Sequence, residues 1–325
     1  TGIYVERGKS LLFGGILWAT KASSKDPTVQ LGGQGRLGYY GNGRRFLRDR
    51  AGMTSATGTP AIEITFTAID VFNIVADLLA HAANYAANLG YTAVRFHGPG
   101  AGVANGTLST NLKTTTYWAY ELKNILDAII ELATQSPGFE ISESCEWDSA
   151  NNRPFHYLDL WYPRRGVSAA NGPTFIVGKN VSMLGYTLDA SKMANVVTAT
   201  GSGTADAMKT SEASDSTVIG TYPRLEGINT YRDESVDANL AAHAAANLSL
   251  SKKPVETLEL EVIEGSDSAL TSWGTGDTGL VQATQGFITV NNTYRVLKKS
   301  VKIDDKGFPT IGATMGDEAA SLGVA

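Results

Sequence analysis

Apolar positions recur along this chain with two periods, and their order predicts its elements. Residues 2–7, 11–20 and 27–37 are β-prone runs, separated by "VERGKS" and "KASSKDP", which read as turns. The stretch "IDVFNIVADLLAHAANYAANLG" places Phe72, Val75, Leu79, Ala82, Ala86 and Leu89 three and four residues apart. That spacing predicts an amphipathic helix, with Asp70 to cap its start and Gly90 to end it. A second helix is predicted over "TTTYWAYELKNILDAIIELATQSPG", on a stripe of Trp118, Leu122, Ile125, Ile129 and Leu132, stopping at Pro137-Gly138.

Beyond it the period returns to two. "GFEISESCEWDSANNRPFHYLDLWYP" predicts a hairpin turning at "DSANNRP", and residues 173–200 predict two or three short strands. "GSGTADAMKTSEASDS" is a loop by its small polar composition, and "ESVDANLAAHAAANLSLSKKP" is a shorter, Ala-rich helix. From Val255 onward the chain reads as strand and turn, finishing in a flexible tail after Met315.

Length and charge narrow the classes. At roughly 100–200 residues per domain, 325 residues suggest two or three domains. A net charge of −5 argues against a protein whose main task is gripping nucleic acid, which needs a clustered basic face. No apolar run approaches the roughly 20 residues of a membrane helix. Cys145 is the only cysteine, so no intrachain disulfide or thiolate cluster can form; strand phase places it with Phe139, Ile141 and Trp147 as a core thiol. The chain opens inside strand-like sequence and without Met, so further N-terminal residues are expected.

Catalytic and cofactor patterns are weak. Gly33, Gly35 and Gly38 spell G-x-G-x-x-G, but a dinucleotide site needs a helix opening there, and "YYGNGRR" starts one poorly. A bend in a twisted sheet is the better use of these glycines. His81, His97, His156 and His243 lie in separate elements without a metal-ligand spacing. The carboxylate pairs Glu143/Glu146 and Asp304/Asp305 lie on hairpin edges, and no G-x-S-x-G is present. The reading is therefore of a protein that is not an enzyme, with no cofactor and no metal.

The order of several segments resembles a family, the tail-hub (minor tail) proteins of long-tailed actinobacteriophages. The resemblance rests on "YVERGKSLLFGGILWATKASSKDPTVQLGGQGRLGYY", on "DVFNIVADLLAHA" and "LKNILDAIIELA", and on "HYLDLWYPRRG". It continues through "GKNVSMLGYTLDASKMANVVTATGSG" and "LAAHAAANLSLSKKPVETLELEV", then "GDTGLV" and "YRVLKKSVKIDDKG". It implies a β-rich α+β fold of baseplate-hub architecture, two tail-tube-like β-barrel domains with α/β domains between them. The implied division is residues 1–57 (first barrel, lacking N-terminal strands), 58–172 (α/β), 173–253 (α+β) and 254–325 (second barrel and tail).

The function implied is structural: a homotrimeric ring at the virion tail tip. Its implied partners are a distal tail protein ring, the tail tube, a tape measure protein and downstream tail-tip or fibre proteins. DNA would pass only in transit, and no stable membrane insertion is implied. The alternative is a wall-active or carbohydrate-binding tail-tip protein, for which "YLDLWY" and "TYWAY" would supply aromatics.

One hairpin carries the candidate contact residues. In "YRVLKKSVKIDDKG", strict alternation sets Arg295, Leu297, Lys299, Val301 and Ile303 on a core face and Tyr294, Val296, Lys298, Ser300 and Lys302 on the other. Lys298 and Lys302 then lie roughly 13 Å apart along the strand. They read either as solvated gatekeepers against stray edge pairing or as contacts to an acidic surface on the next subunit or ring, fixing register.

Overall fold

The computed structural model describes residues 2–7, 10–23, 26–41, 45–47, 63–83, 93–98, 108–135, 137–148, 153–232, 237–265, 272–286, 288–303 and 309–317. Gly90, the "DDKG" turn and the last eight residues lie outside these, so the readings made of them do too. The chain divides into two compact units, residues 1–164 and 165–325. Both are β-rich with short helices, an α+β fold.

The first unit begins with β1 (Gly2–Arg7), β2 (Ser10–Ser23) and β3 (Asp26–Gln34), a three-stranded antiparallel sheet, followed by the short α1 (Leu37–Tyr40). Then come β4 (Glu63–Asp70), α2 (Val71–Ala83), β5 (Ala93–His97), β6 (Leu112–Trp118), α3 (Ile125–Thr134), β7 (Glu140–Asp148) and β8 (Arg153–Trp161). α2 forms as its period demands. Val71, Phe72, Ile74, Val75 and Leu78 are fully buried, and Asp70 Oδ1 accepts from the Phe72 amide at 2.9 Å as the expected cap. This apolar face packs on a mixed sheet in which β8 pairs parallel with β5 and antiparallel with β7. Phe72 stacks on Phe96 at 5.4 Å and meets Phe139 edge-on at 5.9 Å.

The second predicted helix is half right. Its first part is the strand β6, paired antiparallel with β4, because the β-branched run Thr114–Thr116 suits a pleated surface. Leu122 then takes a left-handed conformation, and Asn124 restarts the chain as a helix, its Oδ1 accepting from the Leu126 and Asp127 amides. Ile125, Ile129 and Leu132 are buried as predicted, whereas Trp118 and Leu122 are exposed.

The second unit contains β9 (Thr174–Ile176), β10 (Val181–Asp189), β11 (Val196–Thr200), β12 (Thr210–Ser214), α4 (Ser216–Thr221), β13 (Glu226–Thr230) and α5 (Asp237–Ser251). It ends with β14 (Val255–Val262), β15 (Thr278–Gln285), β16 (Ile288–Ile303) and β17 (Pro309–Gly316). The segment read as a loop contains the strand β12, which pairs with β11 and turns Ala213 toward Ala199, Leu240 and Ala244. Its residues are too small and polar to announce a strand.

One six-stranded sheet dominates this unit, in the order β10-β14-β17-β16-β15-β9. It takes strands from both sides of the β11–α5 segment. Its edge strands, β9 and β10, are joined by only Val177–Asn180. Six flat strands would hold them roughly 24 Å apart, beyond the reach of so short a link. The sheet curls instead, and its edges meet at a bridge between Val177 and Val181. Asn180 locks that corner: its Oδ1 accepts from the Ile176 amide at 2.7 Å and its Nδ2 donates to the Thr174 carbonyl at 2.8 Å. Of the two barrels expected, this curled sheet is the barrel-like one; the described strands of residues 1–57 make the open three-stranded sheet.

β16 corrects the strict alternation. Before Leu297 the buried residues are Val290, Tyr294 and Val296, the face expected to be polar. A bulge between Val296 and Lys298 inserts one residue and reverses the phase. Beyond it Lys299 pairs with Ala313 and Val301 with Ile311, so these two do share the core face. The end of the arm leaves cover, with Val301 38% and Ile303 62% exposed.

Candidate functional site

The residues singled out as contacts sit together on one surface. Lys298 pairs with Thr314 and Lys302 with Thr310, on the side of the curled sheet opposite Ile311 and Ala313. Both lysines are exposed, and neither makes an ion pair among the described residues. The same registers carry on into β14: Thr314 pairs with Glu259 and Gly312 with Glu261. Those two carboxylates alternate with buried Leu258, Leu260 and Val262, so they face outward beside the lysines. The sequence reading missed them, although the alternation in "LELEV" carried the signal.

A second polar cluster lies in the first unit. β8 turns Leu158 and Leu160 into the core and Tyr157, Asp159 and Trp161 to the other side. Asp159, 2% exposed, accepts from Arg95 Nε at 2.6 Å, from Ser144 Oγ at 2.6 Å and from His97 Nε2 at 2.9 Å. Burial pushes its pKa up, but the bonds from Arg95, Ser144 and His97 outweigh that and hold it below the usual carboxylate range. Arg95 also pairs with Glu146 at 2.7 Å and lies 4.0 Å from the Tyr157 ring centroid, while His97 stacks on Trp161 at 3.8 Å. The arrangement is not a nucleophilic relay. Ser144 donates to the carboxylate rather than to the imidazole, and a carboxylate held below its usual range is too weak a base to take that proton. Its chemistry is that of a hydrogen-bonded ion cluster tying β5, β7 and β8 together.

The four histidines fall in four different elements. His97 belongs to that cluster, His156 bonds Tyr4 Oη at 3.2 Å, and His243 stacks on Tyr231 at 4.1 Å; His81 falls in α2. No group of three or more His, Cys, Asp or Glu side chains among the described residues could hold a metal ion. Cys145 is half-buried opposite His156, and burial raises its pKa. The glycine motif does open a helix, contrary to expectation, but a very short one. Glu143 Oε1 accepts from the Leu37 amide at 2.8 Å, so the chain's own carboxylate occupies that helix start. No described helix is long and apolar enough to cross a membrane.

No family model and no curated protein matches the sequence. Solved structures do. The 43 kDa tail protein of prophage MuSo2 from Shewanella oneidensis superposes with a TM-score of 0.62 at 12% identity, over 95% of this chain and 80% of that one. The chain has the fold of prophage tail proteins. A tail protein from Neisseria meningitidis agrees at a TM-score of 0.57 and 12% identity, over 95% of this chain and 81% of its own. Prophage tail protein gp18 from Listeria monocytogenes agrees at 0.54 and 12% identity, over 96% of this chain and 80% of that one. Within this tail-protein fold, the charged surface of β14, β17 and β16 is the outer face of the curled sheet.

Proposed function

We propose that this chain is a structural hub at a bacteriophage tail tip, of the kind that the sequence segments resemble in actinobacteriophages. Three copies form a ring that joins the tail tube and distal tail ring to a central fibre or spike and lines the DNA channel. The carrying observation is the curled six-stranded sheet, whose edges meet at Val177–Val181, within a prophage tail-protein fold. Three copies, each giving one barrel-like part from residues 254–325 with the 174–189 strands and one from residues 1–57 completed by its neighbours, would make a six-fold-like ring. That ring would fit a hexameric tube. The slightly acidic balance suits a passage that must release DNA. Lys298 and Lys302 serve in this reading as contacts to an adjoining subunit or ring. Its partners are the distal tail ring, tube, tape measure protein and downstream tip proteins, and its place is the virion. Quantifying the chain in purified tails tests the reading: three copies per tail are expected, and six or one would end it.

A further inference from the structure

The outer face of the curled sheet carries opposite charges on two of its strands. One row across the sheet runs Gly185, Glu259, Thr314, Lys298; the next runs Met183, Glu261, Gly312, Ser300. Lys302 follows beside Thr310. Directly paired residues project from the same face, so β14 presents two carboxylates and β16 two ammonium groups. Only the small residues of β17 lie between, and two strand spacings, roughly 9.5 Å, separate the charges. None of the four forms an ion pair among the described residues; Glu261 accepts only from Ser182 Oγ at 3.0 Å. Met183, in the same rows, is 60% exposed.

We propose that this face is a contact between two copies of this chain, in which the Lys298/Lys302 row of one copy meets the Glu259/Glu261 row of the other. The inference rests on the reading of Lys298 and Lys302 as contact residues, and it names what they touch. Each copy carries a basic and an acidic row on one face, two strand spacings apart, so a neighbour turned by a half-turn over this face sets unlike rows together twice, which selects a two-fold contact. The short side chains of β17 let the neighbour approach, and Met183 adds apolar area beside the charges. The charges set orientation and register.

The test is sedimentation of the full chain up to millimolar concentration, at low and high salt. The parent should self-associate at low salt and dissociate as salt screens the rows. Lys298→Glu/Lys302→Glu and Glu259→Lys/Glu261→Lys should each weaken association by roughly tenfold or more, and the fourfold variant should recover it. Melting curves identify any variant that misfolds, and Lys298→Ser/Lys302→Ser, which adds no like charge, should then show a smaller loss in the same direction. A parent that stays monomeric, or a fourfold variant that fails to recover, overturns the contact between copies. Tail assembly by the lysine variant separates the two ideas. Impaired assembly without recovery means that the lysines touch another protein, whereas normal assembly removes their contact role as well.

Discussion

Lys299 stands over Trp273: its ammonium lies 4.1 Å from the ring centroid and donates to the Trp273 carbonyl at 2.7 Å. The bulge at Leu297 is what turns this cation toward the core side of β16. Burial lowers its pKa to about 8, against an upward pull from Asp277. In the unfolded chain it titrates near 10.5, so between those values the unfolded chain holds the extra proton and stability rises with pH. Lys299→Met should lose that rise. Urea midpoints from neutral to alkaline pH should show the parent gaining on the variant, and parallel curves would contradict this.

Asp159 should be the most sensitive polar position of the first unit. Asp159→Asn leaves the partly buried Arg95 without its main counter-charge, a loss of about 3 kcal/mol. Ser144→Ala removes one hydrogen bond and should cost about 1 kcal/mol. Equal and small losses for both in urea unfolding would mean that Arg95 finds other partners.

His156 should make the protein sensitive to mild acid. It is buried, and that burial, with the nearby positive charge of Arg36, lowers its pKa to about 4. Between its ordinary 6.5 and that value the unfolded chain takes up a proton that the fold refuses, so stability falls as pH drops through this window. His156→Gln can keep a bond to Tyr4 and should flatten the fall. Melting temperatures across the window check it; an unchanged slope would place the acid sensitivity elsewhere.

Gly35 and Glu143 should behave as one unit. A Cβ on Gly35 would sit 1.9 Å from Glu143 Oε2, displacing the carboxylate that holds the Leu37 amide. Gly35→Ala should cost about 1–3 kcal/mol, and much less in a Glu143→Ala background. Additive losses in the double-mutant cycle would show that the two do not interact.

These positions differ in how far the sequence revealed them. α2 and its Asp70 cap were legible because five fully buried residues follow one helical stripe. The β7–β8 and β16–β17 hairpins were legible from alternation around turn residues. Trp118 and Leu122 misled because their spacing continues the Ile125–Leu132 stripe, while a strand and a left-handed residue intervene. β12 hid because its half-buried side is only Ser211 and Ala213. The bulge at Leu297 adds one residue, which no alternation rule anticipates. Asp159 lies in the outward phase of β8 and went unremarked in the sequence, since its partners Arg95, Ser144 and His97 come from other strands.

The ring itself is tested most directly by the symmetry of intact tails containing this chain, resolved by electron cryomicroscopy. The account predicts three copies around the tail axis, with the curled sheet of each in the ring wall and a six-fold-like inner outline. A single copy on the axis, or six equivalent copies, would contradict it.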